Sequence, residues 1–80
     1  MAILREEIKG MMIYNVIESS NITESQYDMS TEKMVVTFKN GTKYEYEFVL
    51  HKVYAKFRLS ESQGKFFTTE ISKNYKYKKL

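Results

Sequence analysis

The last six residues, Tyr75-Lys76-Tyr77-Lys78-Lys79-Leu80, interleave two aromatic rings with three cations. Rings can stack on unpaired bases, and ammonium groups can hold the phosphates between them. The composition therefore suits a single-stranded nucleic acid. It also suits a terminal strand whose tyrosines cover a core while the lysines stay in water. A second candidate is the turn Ser62-Gln63-Gly64-Lys65. If a helix begins there, its free N–H groups and positive dipole end form an anion site. Gly64 would allow close backbone approach, and Ser62 and Lys65 would add a hydroxyl and a cation. The plainer reading is a helix–helix turn with a serine cap. It is not a P-loop, because G-x-x-x-x-G-K-[ST] is absent.

Other reactive types are sparse. Tyr44-x-Tyr46 could stack bases, or could pack a core beside Phe48, Val36 and Met34. His51 is the single histidine, and no set of metal-ligating or nucleophilic partners accompanies it. It reads as a helix-start residue. Glu45 and Glu47 fall on the outer face of a hairpin and form no acid–base couple. No catalytic, metal or cofactor site is expected.

These residues need elements to position them. The strongest local signal is Lys33 to Leu50, two runs of period-two alternation around Asn40-Gly41. With a two-residue loop, Phe38 would face away from Tyr44, Tyr46 and Phe48. A three-residue loop, Lys39-Asn40-Gly41, pairs Val36 with Tyr44 and Met34 with Tyr46 and puts all six apolar residues on one face. That loop requires Gly41 in the left-handed region. Upstream, Met12 to Ile17 reads as a strand, Ser19-Ser20-Asn21 as a turn, and Ile22 to Tyr27 as a poorly patterned strand. Asp28 to Thr31 reads as a turn in which Asp28 bonds its own backbone. Met1 to Lys9 suggests one or two helical turns closed by Gly10. After Leu50 the spacing of Val53, Tyr54 and Phe57 predicts a helix over His51 to Ser60. Ser60 and Gln63 have capping-box spacing for a second helix over Lys65 to Lys73. The tail is either a strand or extended.

Composition bounds the rest. Eighty residues make one small domain. The absence of cysteine excludes disulfides and thiolate metal sites and is compatible with a reducing cytosol. The N-terminus is too short and acidic for a signal peptide, and no apolar run reaches the roughly 18 residues of a membrane span. A cytoplasmic location is expected. The net charge of +3 conceals a gradient: residues 1–50 carry five basic and eight acidic side chains, whereas residues 51–80 carry eight basic and two acidic. A basic C-terminal third points to an anionic partner; solvated surface lysines are the alternative.

Several short patterns then recur in one order. They are S-S-N-I (Ser19 to Ile22), Tyr27-Asp28, V-T-F-K-N-G (Val36 to Gly41), Tyr44-x-Tyr46 and Val53-Tyr54. The closing pattern is S-x-G-x-F-F-x-x-x-I-x-x-x-Y-x-Y-x-x-L from Ser62 to Leu80. Together they resemble the KTSC domain, a small domain named from the C-terminus of some lysyl-tRNA synthetases and also found alone. Leu50 stands where that family usually has proline, and Thr68 where it often has asparagine. Residues 1–11 fall outside the pattern, leaving 12–80 as a single KTSC-like domain. The resemblance implies a fold more firmly than an activity, since the family's function is undefined, with RNA binding suggested for it.

The expected fold is a small α+β domain: a four-stranded antiparallel meander with two C-terminal helices packed on one face. The expected function is a non-catalytic binding module for RNA or another phosphate-bearing (nucleotide) ligand. Arg58, Lys65, Lys76, Lys78, Lys79 and the Ser62–Gly64 turn would face phosphates, with Tyr75 or Tyr77 stacking a base. The alternative is a protein-interaction or oligomerisation module, supported by the apolar N-terminus and Met11-Met12. A variant of the main reading is a small phage-type protein that sequesters a soluble nucleotide.

Overall fold

The computed structural model describes residues 2–18 and 21–80, so Ser19 and Ser20 of the expected turn lie outside the described residues. The elements run β1 (Ala2–Lys9), β2 (Met12–Glu18), β3 (Ile22–Asp28), β4 (Lys33–Phe38), β5 (Lys43–Tyr46), α1 (His51–Leu59), α2 (Gln63–Phe66), a π-helical turn (Phe67–Ile71) and β6 (Tyr77–Lys79). The strands form one antiparallel sheet in the order β1-β2-β3-β4-β5-β6.

The expected four-stranded sheet is thus corrected to six strands, by additions at both edges. Of Met1 to Lys9, expected as helical turns, Ala2–Lys9 forms β1, and Met1 lies outside the described residues. A helix that short leaves most of its N–H and C=O groups without partners. Gly10, at φ +60, instead opens a two-residue loop with Met11 and lays the segment along β2, from Lys9↔Met12 to Ala2↔Glu18. The tail contributes β6, which pairs with β5 and is pinned at its ends by Glu47 N–H to the Lys76 carbonyl (3.0 Å) and Leu80 N–H to the Lys43 carbonyl (2.9 Å).

The central hairpin has the expected register, with Val36 opposite Tyr44 and Met34 opposite Tyr46. The Phe38 carbonyl accepts from Gly41 N–H, Gly41 sits at φ +87, and Asn40 Oδ1 accepts from Thr42 N–H. Asp28 behaves as expected too, accepting from Ser30 N–H at 2.8 Å. Phe48 departs from the expected shared face. The strand ends at Tyr46, and Phe48 turns left-handed (φ +58) with its ring 72% exposed. The chain turns there because Val49 is drawn inward: its N–H donates to the Glu32 carbonyl and its carbonyl accepts from the Tyr27 hydroxyl. The poor pattern of β3 also has a cause. A register shift between Ile22 and Glu24 is a bulge that lets both Ile22 and Ser25 reach the covered face.

Helices cover one face of the sheet. Tyr54 and Phe57 of α1 are buried, and the Tyr54 ring stacks on Tyr27 with centroids 4.7 Å apart. The Tyr54 hydroxyl donates to Asn15 Oδ1 (2.5 Å) and is bonded to Ser25 Oγ (2.9 Å). Asn15 Nδ2 donates in turn to Glu6, whose carboxylate also receives Arg58 Nη1 from α1. The buried Asn15 and Ser25 are thereby satisfied, and β1 is tied to α1.

The second helix is shorter and differently capped than expected. Ser62, rather than Ser60, is the cap, accepting from Lys65 N–H. Gln63 sends its amide back to the carbonyls of Arg58 and Ser60, closing the end of α1. After one α-helical turn the chain widens, and Ser72 N–H reaches the Phe67 carbonyl five residues back. Thr68 and Thr69 hydroxyls donate to the Gly64 and Lys65 carbonyls, which loosens the regular ladder. Phe67 and Ile71 both point into the core.

Candidate nucleic-acid interface

The β5–β6 pair sorts the tail by alternation. Tyr46 faces Tyr77, Tyr44 faces Lys79, and Glu45 faces Lys78. Tyr77 and Lys79 therefore share the helix-side face with the Y-x-Y tyrosines, while Lys78 lies on the open face. There the Glu45 carboxylate sits 3.8 Å from both Lys78 and Lys33.

On the helix side the aromatic rings are graded from core to solvent. Phe67 packs against Phe38 and Tyr46, with centroids at 5.6 and 5.2 Å. Tyr77 contacts both Tyr44 and Tyr46 at 5.4 Å, and Tyr44 meets Phe38 edge-on at 5.6 Å. Tyr46 is buried, and burial pushes its hydroxyl pKa up to about 12. Tyr44 is half-buried, whereas Tyr77 is 57% exposed. The Y-x-Y motif thus splits: Tyr46 belongs to the core and Tyr44 to its rim.

Tyr44 and Phe38 also wall an open groove of roughly 400 Å³, completed by Asn21, Lys39, Asn40 and Thr42. No acidic side chain lines it. The hairpin loop is held over it by the turn bonds already described and by Lys39 N–H to the Asn21 carbonyl (3.0 Å). Lys39 and Lys79 make no ion pair among the described residues. Aromatic rings and cations outside any ion pair are thus adjacent.

The other sequence-derived candidates lie elsewhere. Ser62 and Lys65 border a separate cavity of roughly 610 Å³, with Ser60, Phe66 and Thr69. Glu61 and Glu70 also line it, so its carboxylates outnumber its one lysine. The Ser62 hydroxyl is occupied as the helix cap, and Gly64 is buried. Arg58 is engaged with Glu6. Tyr75 is half-buried against the core, and Lys76 lies just before β6. None of the expected site residues lines this groove; Tyr77 contacts Tyr44 of its wall, and Lys79 pairs opposite Tyr44.

Asn21, Phe38, Lys39, Asn40 and Thr42 are site residues that sequence reading does not single out. Their one signal is the Asn40-Gly41 turn, which reads as structure. Tyr44 of the same groove meets Tyr77 through a strand pairing that no local pattern encodes.

Among the described residues there is no cluster of side chains able to hold a metal ion, and no helix is long and apolar enough to cross a membrane.

Comparison with curated proteins gives no match. Among solved structures, the chain resembles the crystal structure of a KTSC domain protein from Yersinia pestis. The TM-score is 0.81 at 25% identity, covering 86% of this chain and 97% of that one. The KTSC domain profile matches residues 18–75, most of the chain, including β3 to β5, both helices and the approach to β6. The chain belongs to the KTSC domain family.

Proposed function

We propose that the protein is a non-catalytic binding module for single-stranded RNA or another phosphate-bearing ligand, and that the ligand lies across the β5–β6 end of the sheet. One observation carries this reading: the exposed Tyr77 ring meets Tyr44 edge-on, Tyr44 walls a groove lined by Lys39 and by no acidic side chain, and Lys79 pairs opposite Tyr44. Aromatic faces accept any unpaired base, and the lysines neutralise flanking phosphates. A self-association role is the second reading, favoured by β1, an eight-residue strand at an open edge of the sheet.

Titration of fluorescent single-stranded RNA across a salt series tests the main reading. Affinity should fall as salt rises. Lys39→Ala and Lys79→Ala should each reduce the log–log salt slope by about one. Lys78→Ala should change it less, because Lys78 faces Glu45 on the opposite side. Binding that ignores salt and both of these lysines would sink the proposal.

A further inference from the structure

β1 is the longest strand and lies at an edge of the sheet. Its Gly10-Met11 loop has two residues, so the closing pair Lys9↔Met12 is hydrogen-bonded, as are Glu7↔Tyr14 and Arg5↔Val16. Glu6 and Ile8 then direct their backbone N–H and C=O groups away from β2. The register shifts between Ile3 and Arg5, so the regular part of this edge runs from Arg5 to Lys9. An unpaired strand edge is a template for another strand.

Side chains select the occupant. Arg5, Glu7 and Lys9 present cation, anion and cation on one face, where Glu7 already pairs with Arg5 and lies 3.9 Å from Lys9, and Ile8 is 60% exposed. Consider two identical edges paired antiparallel about a two-fold axis. With the axis at Glu7, Glu7 meets Glu7 and Arg5 meets Lys9, so every charged pair on that face is repulsive. With the axis at Glu6, Arg5 meets Glu7 twice but like carboxylates meet at the axis itself. With the axis at Ile8, Glu7 faces Lys9 of the partner subunit twice and Ile8 packs on its counterpart. The pairing then spans Glu7 to Lys9 of each copy, because Gly10 turns the chain back toward β2. Of the three registers, this one alone brings no like charges together and covers the exposed Ile8.

We propose that two copies of the chain associate through β1, antiparallel about a two-fold axis at Ile8, so that their sheets become continuous. An interface this short belongs to the weak class, below about 1,200 Å², and forms at high protein concentration.

Sedimentation equilibrium over a concentration series tests this. The wild-type chain should show a monomer–dimer equilibrium. Ile8→Lys and Glu7→Lys should each move its midpoint upward at least about tenfold, because like charges then meet at the axis in the first and in both halves in the second. The double variant Glu7→Lys/Lys9→Glu should return the midpoint to the wild-type value. Far-UV circular dichroism confirms that each variant is folded. A wild-type chain that stays monomeric to its solubility limit overturns the proposal. So does a dimer indifferent to Glu7→Lys, or a double variant that fails to recover.

Discussion

Tyr46 and Tyr77 face each other across the β5–β6 pair with ring centroids 5.4 Å apart, yet one is 4% exposed and the other 57%. The same residue type thus serves the core on one strand and the surface on the next. Substitution should separate the two roles. Tyr77→Ala should weaken RNA binding by about 1–3 kcal/mol, the usual worth of one base–aromatic stack, with little change in stability. Tyr46→Ala should lower unfolding free energy by about 3–5 kcal/mol, as for large aromatic truncations in a core. Urea unfolding and RNA titration on both variants check the division. Equal losses of stability would place Tyr77 in the core.

The Tyr54 hydroxyl has its pKa pushed up to about 12, chiefly because burial penalises the phenolate. In the unfolded chain the same group titrates near its ordinary value of about 10. The folded pKa is the higher one, so the folded state holds the proton more tightly. This contribution is fully present below pH 10 and is lost as pH rises from about 10 to 12, amounting to roughly 2–3 kcal/mol for the one group. Tyr46 adds in the same direction. Unfolding midpoints in urea should therefore fall across this window. In Tyr54→Phe the fall should be shallower, although the variant starts less stable at neutral pH because Asn15 and Ser25 lose their partner.

Gly41 holds the hairpin register through its backbone rather than through space. A Cβ added there meets nothing within 4 Å, but φ is +87. Gly41→Val should cost about 1–2 kcal/mol, the penalty for a β-branched residue in the left-handed region, whereas Gly41→Asn should cost less. Thermal melts of the two variants provide the comparison. Because Lys39 and Asn40 border the groove, Gly41→Val should also weaken RNA binding.

Physical reasons explain which parts were legible. The hairpin register follows from face parity and one glycine, both local, so sequence alone determined it. The helix starting at His51 followed from its period of spacing, and the Asp28 turn from a side chain that bonds two residues on. The sheet's two edges were not legible. Residues 2–9 have helical spacing too short to sustain a helix, and only the neighbouring β2 made them a strand. The tail's alternation allowed a strand or an extended end, and β5 chose the strand. Phe48 left the core because Val49 is held by Glu32 and Tyr27, two distant residues.

The candidate site shows the same boundary. Sequence by itself determined that tyrosines and lysines alternate in the tail and that a strand would part Tyr77 and Lys79 from Lys78. Only the tertiary structure decided which side of that strand faces the Phe38–Tyr44 groove, and only it bound Arg58 to Glu6. Periodicity is a property of the chain near each residue. Neighbourhood across the sheet depends on long-range pairings whose energy comes from burial, and no local spacing records them.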